Sequence, residues 1–365
     1  FILGDNIKLK VVTKSKNELN NSNIDDVNSN KYNFAICNEF ELLKLANTQA
    51  TGTATTATGT ATTATGTATT ATGTATTATG TATTVKQVPE LENIRVICSL
   101  NKSYLFFIVH DNSEIKSLVD LVGKTVGINS SNSGTYSILN ELCEILTLKI
   151  KNTSPHENVD KNVVNFRTGG INELFNLFFK KQIDCLFLVS GHNLPYIFSL
   201  TEKIPVRMLD IDEPEFDIFK NTTPNDFFFL TRTRINIEPY DTFNSSRYLD
   251  TFYTRNFIIC NSSIPTKSVY NITKNLFANI GSVKSNIVKI GRRYFDETQD
   301  PLYDDFKKEY MVYSSYKLQL HKGAYLYFKE IKMFVNDETK CEFFDDKCNI
   351  SPYEKIKSHG EPFLN

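Results

Sequence analysis

The sequence predicts an α/β protein built around an open sheet. Strand-length runs such as Ile183-Asp184-Cys185-Leu186-Phe187-Leu188-Val189 are apolar almost throughout, as expected of parallel strands covered on both faces. These runs alternate with segments of helical period, and strand–helix alternation defines the α/β class. Residues 50–84 contain only Ala, Thr and Gly, so 365 − 35 = 330 residues of mixed sequence remain. That length, with 40% hydrophobic and 12% aromatic residues, supports one large or two medium domains.

Before the repeat, Leu9–Thr13 and Asn33–Asn38 read as strands, and Glu39–Ala46 as a helix of strong formers with one apolar face. From Thr51 to Thr84 the heptamer Thr-Gly-Thr-Ala-Thr-Thr-Ala recurs, with glycines at 52, 59, 66, 73 and 80. The heptads lack large apolar residues, which argues against a coiled coil. Burying Ala, Thr and Gly does not offset roughly 1–2 kcal/mol of chain entropy per residue. The block is therefore expected to be a disordered insertion. A Thr-rich strand stack or a glycosylated stalk is the alternative.

Ile94–Leu100 and Tyr104–His110 read as two strands. Ser117–Leu121 is a short helix ending at Val122-Gly123, followed by the strand Lys124–Ile128. Asn129–Thr135 is a polar loop and Tyr136–Leu148 a helix, with Ile138, Leu139, Leu142, Ile145 and Leu146 on one face. A second unit has a helix over Ile171–Lys181, the strand Ile183–Val189 and the loop Ser190–Pro195. Asn256–Cys260 is a strand, and Ser263 and Pro265 introduce a helix carrying Val269, Ile272, Leu276, Phe277 and Ile280. Residues 336–365 form a polar tail.

A net charge of −1 argues against nucleic-acid binding by bulk charge. No apolar run approaches the ~18 residues of a membrane span. The seven cysteines form no Cys-x-x-Cys pair, and five lie in apolar surroundings that suit buried thiols. Cys341 and Cys348 could pair in an oxidising compartment. The five histidines lack metal-ligand spacing, and no phosphate-loop, dinucleotide or nucleophile-elbow motif is present. Asp210-Ile211-Asp212-Glu213 reads as solvated surface. For an enzyme, Asp210, Asp212 and His192 are the candidate bases.

The sharpest local feature is Asn129-Ser130-Ser131-Asn132-Ser133-Gly134-Thr135, which follows a strand and opens a helix. Ligands in open α/β sheets sit at such strand ends. Free N–H groups and the helix dipole favour an anion there, a carboxylate or a phosphate. Ser133 or Thr135 could equally serve only as a helix cap.

Six segments, in order, resemble the TAXI family of TRAP-transporter solute receptors, which are periplasmic-binding-protein-like. Asp120–Val126 resembles the family's DLKGKRV segment, and Asn132-Ser133-Gly134-Thr135 its GSGT loop. Ile183–Phe187 and Ser190–Pro195 resemble its IDAFF strand and GxPxP loop. Val206–Ile211 resembles RLLPID, and His321-Lys322-Gly323-Ala324 with Lys329-Glu330 resembles HPGAxxYYKE. The resemblance implies a two-lobed periplasmic-binding-protein type II-like fold closing on a small organic anion, an amino acid such as glutamate or a dicarboxylate.

Lobe one would comprise 1–110 plus 255–335, and lobe two 111–254, with a hinge near Tyr104–His110 and Arg255–Cys260. The expected ligand residues are Ser15, Asn38, Asn129, Asn132, Ser133, Gly134, Thr135, Gly191 and His192, with His192 ordering its loop. The resemblance implies no cofactor, a carboxylate ligand, transporter subunits as partners and an extracytoplasmic location. The family's first strand has no counterpart here, so an N-terminal piece is expected to be missing. An enzyme on the same fold, or a secreted or surface interaction protein that binds no solute, are the other readings.

Overall fold

A computed structural model describes residues 23–45, 93–131, 133–153, 158–192, 195–222, 230–240, 242–279 and 320–331. The expected strand Leu9–Thr13, Ser15, the 50–84 repeat, Asn132, Cys341, Cys348 and the 336–365 tail lie outside them. Among the described residues, one nine-stranded mixed sheet organises the chain. Its strands are β1 (Phe34–Asn38), β2 (Ile94–His110), β3 (Thr125–Ile128), β4 (Ile150–Asn152) and β5 (Val164–Thr168). They continue with β6 (Cys185–Ser190), β7 (Val206–Met208), β8 (Thr231–Asn236) and β9 (Tyr248–Asn261). The order is β1-β9-β2-β6-β3-β5-β4, with β7 also pairing β2 and β8 also pairing β9. The helices are α1 (Asn23–Asn28), α2 (residues 39–45), α3 (Gly134–Ile145), α4 (Ile171–Phe179) and α5 (Pro195–Thr201). After them come α6 (Glu213–Thr222), α7 (Thr266–Ala278) and α8 (Lys322–Glu330).

The α/β class is as expected. The largely parallel sheet is not: only β4-β5-β3-β6 run parallel, and β1, β2, β7, β8 and β9 pair antiparallel. The reason lies in β2 and β9, which cross the middle of the sheet in opposite directions. The two runs expected over 94–110 form one 17-residue strand. Polar Asn101-Lys102 between them are half-buried, and register shifts against β9 at Ser99/Lys102 absorb them as a bulge.

Both long strands change core along their length. In β2, Ile94, Val96, Ile97 and Cys98 belong to a first core with Leu42, Phe257, Val269 and Phe328. Beyond the bulge its side chains alternate, as the two-residue period of a strand requires. Leu105, Phe107 and Val109 enter a second core under α3, while Tyr104, Phe106 and Ile108 enter a third under α4 and α5. β9 does the same in reverse, from Leu249 in the third core and Phe252 in the second to Phe257 and Ile259 in the first.

Local chemistry sets the element ends. Helix α3 starts at Gly134, two residues before the expected Tyr136, because Ser133 caps it. The expected helix over Ser117–Leu121 is a single tight turn, Leu118–Leu121, closed by Gly123 at φ +73. Helix α4 stops at Phe179, and Lys181 takes a left-handed conformation. Cys37, Cys98, Cys143, Cys185 and Cys260 are buried free thiols, and burial pushes Cys143 and Cys260 up to about 12. Among the described residues, no helix is long and apolar enough to cross a membrane.

Candidate functional site

Two strand-to-helix turns face each other where the cores meet. The first is β3 to α3. Strand β3 is buried along its length, and a Cβ at Gly127 would lie 2.5 Å from Ile183 Cδ1. Its start is held by the Thr125 N–H, which donates to Asp184 Oδ2 at 2.8 Å. After Ile128 the chain turns, exposing Asn129. Ser133 Oγ accepts from the Tyr136 N–H at 3.3 Å and donates to the Ser130 carbonyl at 2.6 Å. Ser133 is thus a capping residue that also closes its own loop. Thr135, in the first turn of α3, is buried.

The second turn is β1 to α2. Asn38 ends β1, and its Oδ1 accepts from the Glu41 N–H at 2.8 Å, capping α2. With Oδ1 engaged, Nδ2 lies over Gly134, where an added Cβ would come within 1.7 Å of it. The same Cβ would lie 3.2 Å from the Glu41 carboxylate carbon. Glycine at 134 permits this close approach, and a side chain here would have to push the Asn38 amide aside.

A polar row continues from Asn38 across the sheet. Asn38 pairs with Asn256 of β9, and Asn256 Nδ2 donates to Ser103 Oγ of β2 at 2.8 Å. The backbone N–H of Phe40 donates to Thr254 Oγ1 at 3.3 Å. Ser103 and Thr254 are buried, and Asn38 and Asn256 are half-buried. Each of these groups can present a neutral donor or acceptor to a small polar molecule.

The remaining expected site residues lie elsewhere. His192 is 1% exposed, its Nε2 is 3.0 Å from the Asn236 carbonyl, and its ring meets Tyr104 edge-on. It orders the loop after β6, beside half-buried Gly191, among residues of the third core. The candidate bases Asp210 and Asp212 hold backbone: Asp210 Oδ1 accepts from the Asp250 N–H and Asp212 Oδ1 from the Glu215 N–H, each at 3.0 Å. Burial raises the Asp210 carboxyl above its ordinary value. Among the described residues, no three His, Cys, Asp or Glu side chains cluster to hold a metal.

Sequence reasoning missed Glu41, Ser103, Thr254 and Asn256. Glu41 was within reach, because Asn38-Glu39-Phe40-Glu41 has capping-box spacing. The other three sit in strands whose pairing joins residues about 150 positions apart in the chain.

The arrangement defines an α/β protein with a polar row and a helix N-terminus at the junction of separate cores. The model of the NMT1-like family matches residues 35–331, and the chain belongs to that family. No curated protein matches the chain in sequence. Among solved structures, it is similar to the ATP-bound XAC2383 from Xanthomonas citri, at 13% identity and a TM-score of 0.33, covering 59% of this chain and 70% of that one. It is similar to the arginine-, lysine-, histidine-binding protein ArtJ from Geobacillus stearothermophilus, at 13% and 0.33, covering 59% and 68%. A third is a structure from a study of glutathione import through GshT and the cystine importer of Streptococcus mutans, at 12% and 0.32, covering 58% and 67%.

Proposed function

We propose that the chain is a non-enzymatic solute receptor of the TAXI type that closes two lobes on a small organic anion. The lobes are 1–110 plus 255–335 and 111–254, and the flexing point is the pair β2 and β9. The observation that carries this reading is the meeting of Asn38, from the turn after β1, with Gly134 at the N-terminus of α3. With the two turns parted, an anion entering there would meet helix N–H groups from one side and neutral amides and hydroxyls from the other. The names of similar solved proteins, an arginine-, lysine-, histidine-binding protein and a study of glutathione import through a cystine importer among them, agree with a solute-binding role. An extracytoplasmic location and membrane transporter subunits as partners belong to the same proposal.

Asn129, Thr135 and the helix N–H groups remain the ligand contacts proposed on lobe two, with Asn38 on lobe one. Ser133 contributes through the cap. The test is a thermal-shift screen of the purified chain against glutamate, glutamine, succinate and malate. A ligand at ~100 times its dissociation constant stabilises by roughly 2.7 kcal/mol. The Ser133→Ala/Thr135→Val double variant should lose that shift. A shift of wild-type size in the double variant removes the site assignment. A cooperative melt with no shift for any probe supports an interaction protein instead.

A further inference from the structure

Helix α2 belongs to two cores at once. Leu42 and Leu43 lie in the first core, whereas Phe40, 2% exposed, lies in the second with Ile138, Leu139 and Leu142 of α3. Lys44 Nζ pairs with Glu141 Oε2 of α3 at 2.7 Å, with the lysine 42% and the glutamate 23% exposed. Asn38 and Glu41 lie over Gly134. Four side chains within about two turns, the Asn38 amide, the Phe40 ring, the Glu41 carboxylate and the Lys44 ammonium, therefore face α3.

We propose that α2 is an intrinsic clasp. It holds the first and second cores together in the absence of solute, and it sets the chain's own carboxylate, Glu41, beside the α3 N-terminus where a solute carboxylate would otherwise go. The second half of this inference rests on the solute-binding reading and the first half does not. A carboxylate near a helix N-terminus is stabilised by the unpaired N–H groups and the dipole, whether it belongs to a ligand or to the chain. A solute anion must therefore displace Glu41 as well as desolvate itself, and α2 sets the threshold for binding.

The test uses the full chain and two readouts. Hydrogen exchange is followed by mass spectrometry with no solute present. Gly134→Ala suits a first helical turn but drives a methyl group into Asn38. It should speed exchange at least tenfold in residues 39–45 and 134–138 while 171–179 exchange as in the wild type. Unchanged exchange in those two stretches overturns the clasp. If Gly134→Ala instead loosens every segment, Lys44→Gln decides: exchange at least threefold faster in the same two stretches upholds the clasp, and wild-type exchange overturns it. L-glutamate and succinate are then titrated calorimetrically into wild type and Glu41→Gln. Binding at least threefold tighter in Glu41→Gln upholds the displaced carboxylate, and equal affinity overturns it. Faster exchange with no binding of either probe by either protein keeps the clasp and removes its link to solute.

Discussion

The turn from β1 into α2 and the turn from β3 into α3 follow one plan, a strand, a capping side chain and a helix. They differ in what the cap has left to offer. Ser133 has a single hydroxyl, which accepts from the Tyr136 N–H and donates to the Ser130 carbonyl. Asn38 has two ends. Its oxygen caps α2 at the Glu41 N–H, and its nitrogen reaches the opposite helix at Gly134. Capping and recognition compete for the same atoms, and an asparagine can serve both where a serine cannot.

The comparison can be broken most severely from the α2 side. Phe40→Ala should cost about 3–5 kcal/mol in urea unfolding, because it empties a packed position of the second core. A cost below about 1 kcal/mol would show that α2 is not packed against α3. Gly127→Ala, under the α3 turn, should cost about 1–3 kcal/mol by overpacking against Ile183, Leu174 and Leu186.

The caps themselves sharpen the contrast. Ser133→Ala and Asn38→Ala should each cost about 1 kcal/mol. Asn38→Asp should keep the α2 cap and its stability while losing the amide donor over Gly134. A third cap, His321, adds proton sensitivity. Its Nδ1 accepts from the Gly323 N–H at 3.1 Å, which leaves Nε2, 3.0 Å from the Ile264 carbonyl, as the donor. Burial, with Arg95 adding to it, lowers its pKa below 6.5. The unfolded chain therefore binds the proton more readily. The stability from neutral His321 is complete above pH 6.5 and is lost as pH falls below it. His321→Asn preserves a cap and should flatten the change in urea midpoint between pH 8 and pH 5.5; an unaltered slope would assign it to other groups. The smallest effect is Lys44→Gln, about 0.2–1 kcal/mol and reduced by salt, since the pair is part-exposed.

The sequence made the helices and buried strands visible where one physical signal dominated. The apolar stripe Ile138, Leu139, Leu142, Ile145 and Leu146 is buried as its spacing predicts. Short β4, β5 and β7 and the polar β8 (Thr-Arg-Thr-Arg-Ile-Asn) escaped notice because their pairing, not their composition, makes them strands. The first half of β9 was missed for the same reason: Asp250, Thr251 and Thr254 interrupt its apolar pattern, yet Thr251 Oγ1 donates to the Leu105 carbonyl and stays buried. The two turns of the site were legible singly, through Asn38 and Ser133-Gly134-Thr135. Their meeting was not, because proximity between positions about 100 apart in the chain is decided by packing.

Strands β2 and β9 lie side by side, hydrogen-bonded, and each passes from the first core to the other two. A ladder of this kind bends readily across its width and resists shear along it, because shear breaks every rung at once. The register shifts at Val96/Cys98 and Ser99/Lys102 place its soft point within a few residues. On the proposed two-lobed reading, the cores would swing about an axis near this 99–103 level. Such a swing would part α2 and α3 face to face rather than slide one past the other.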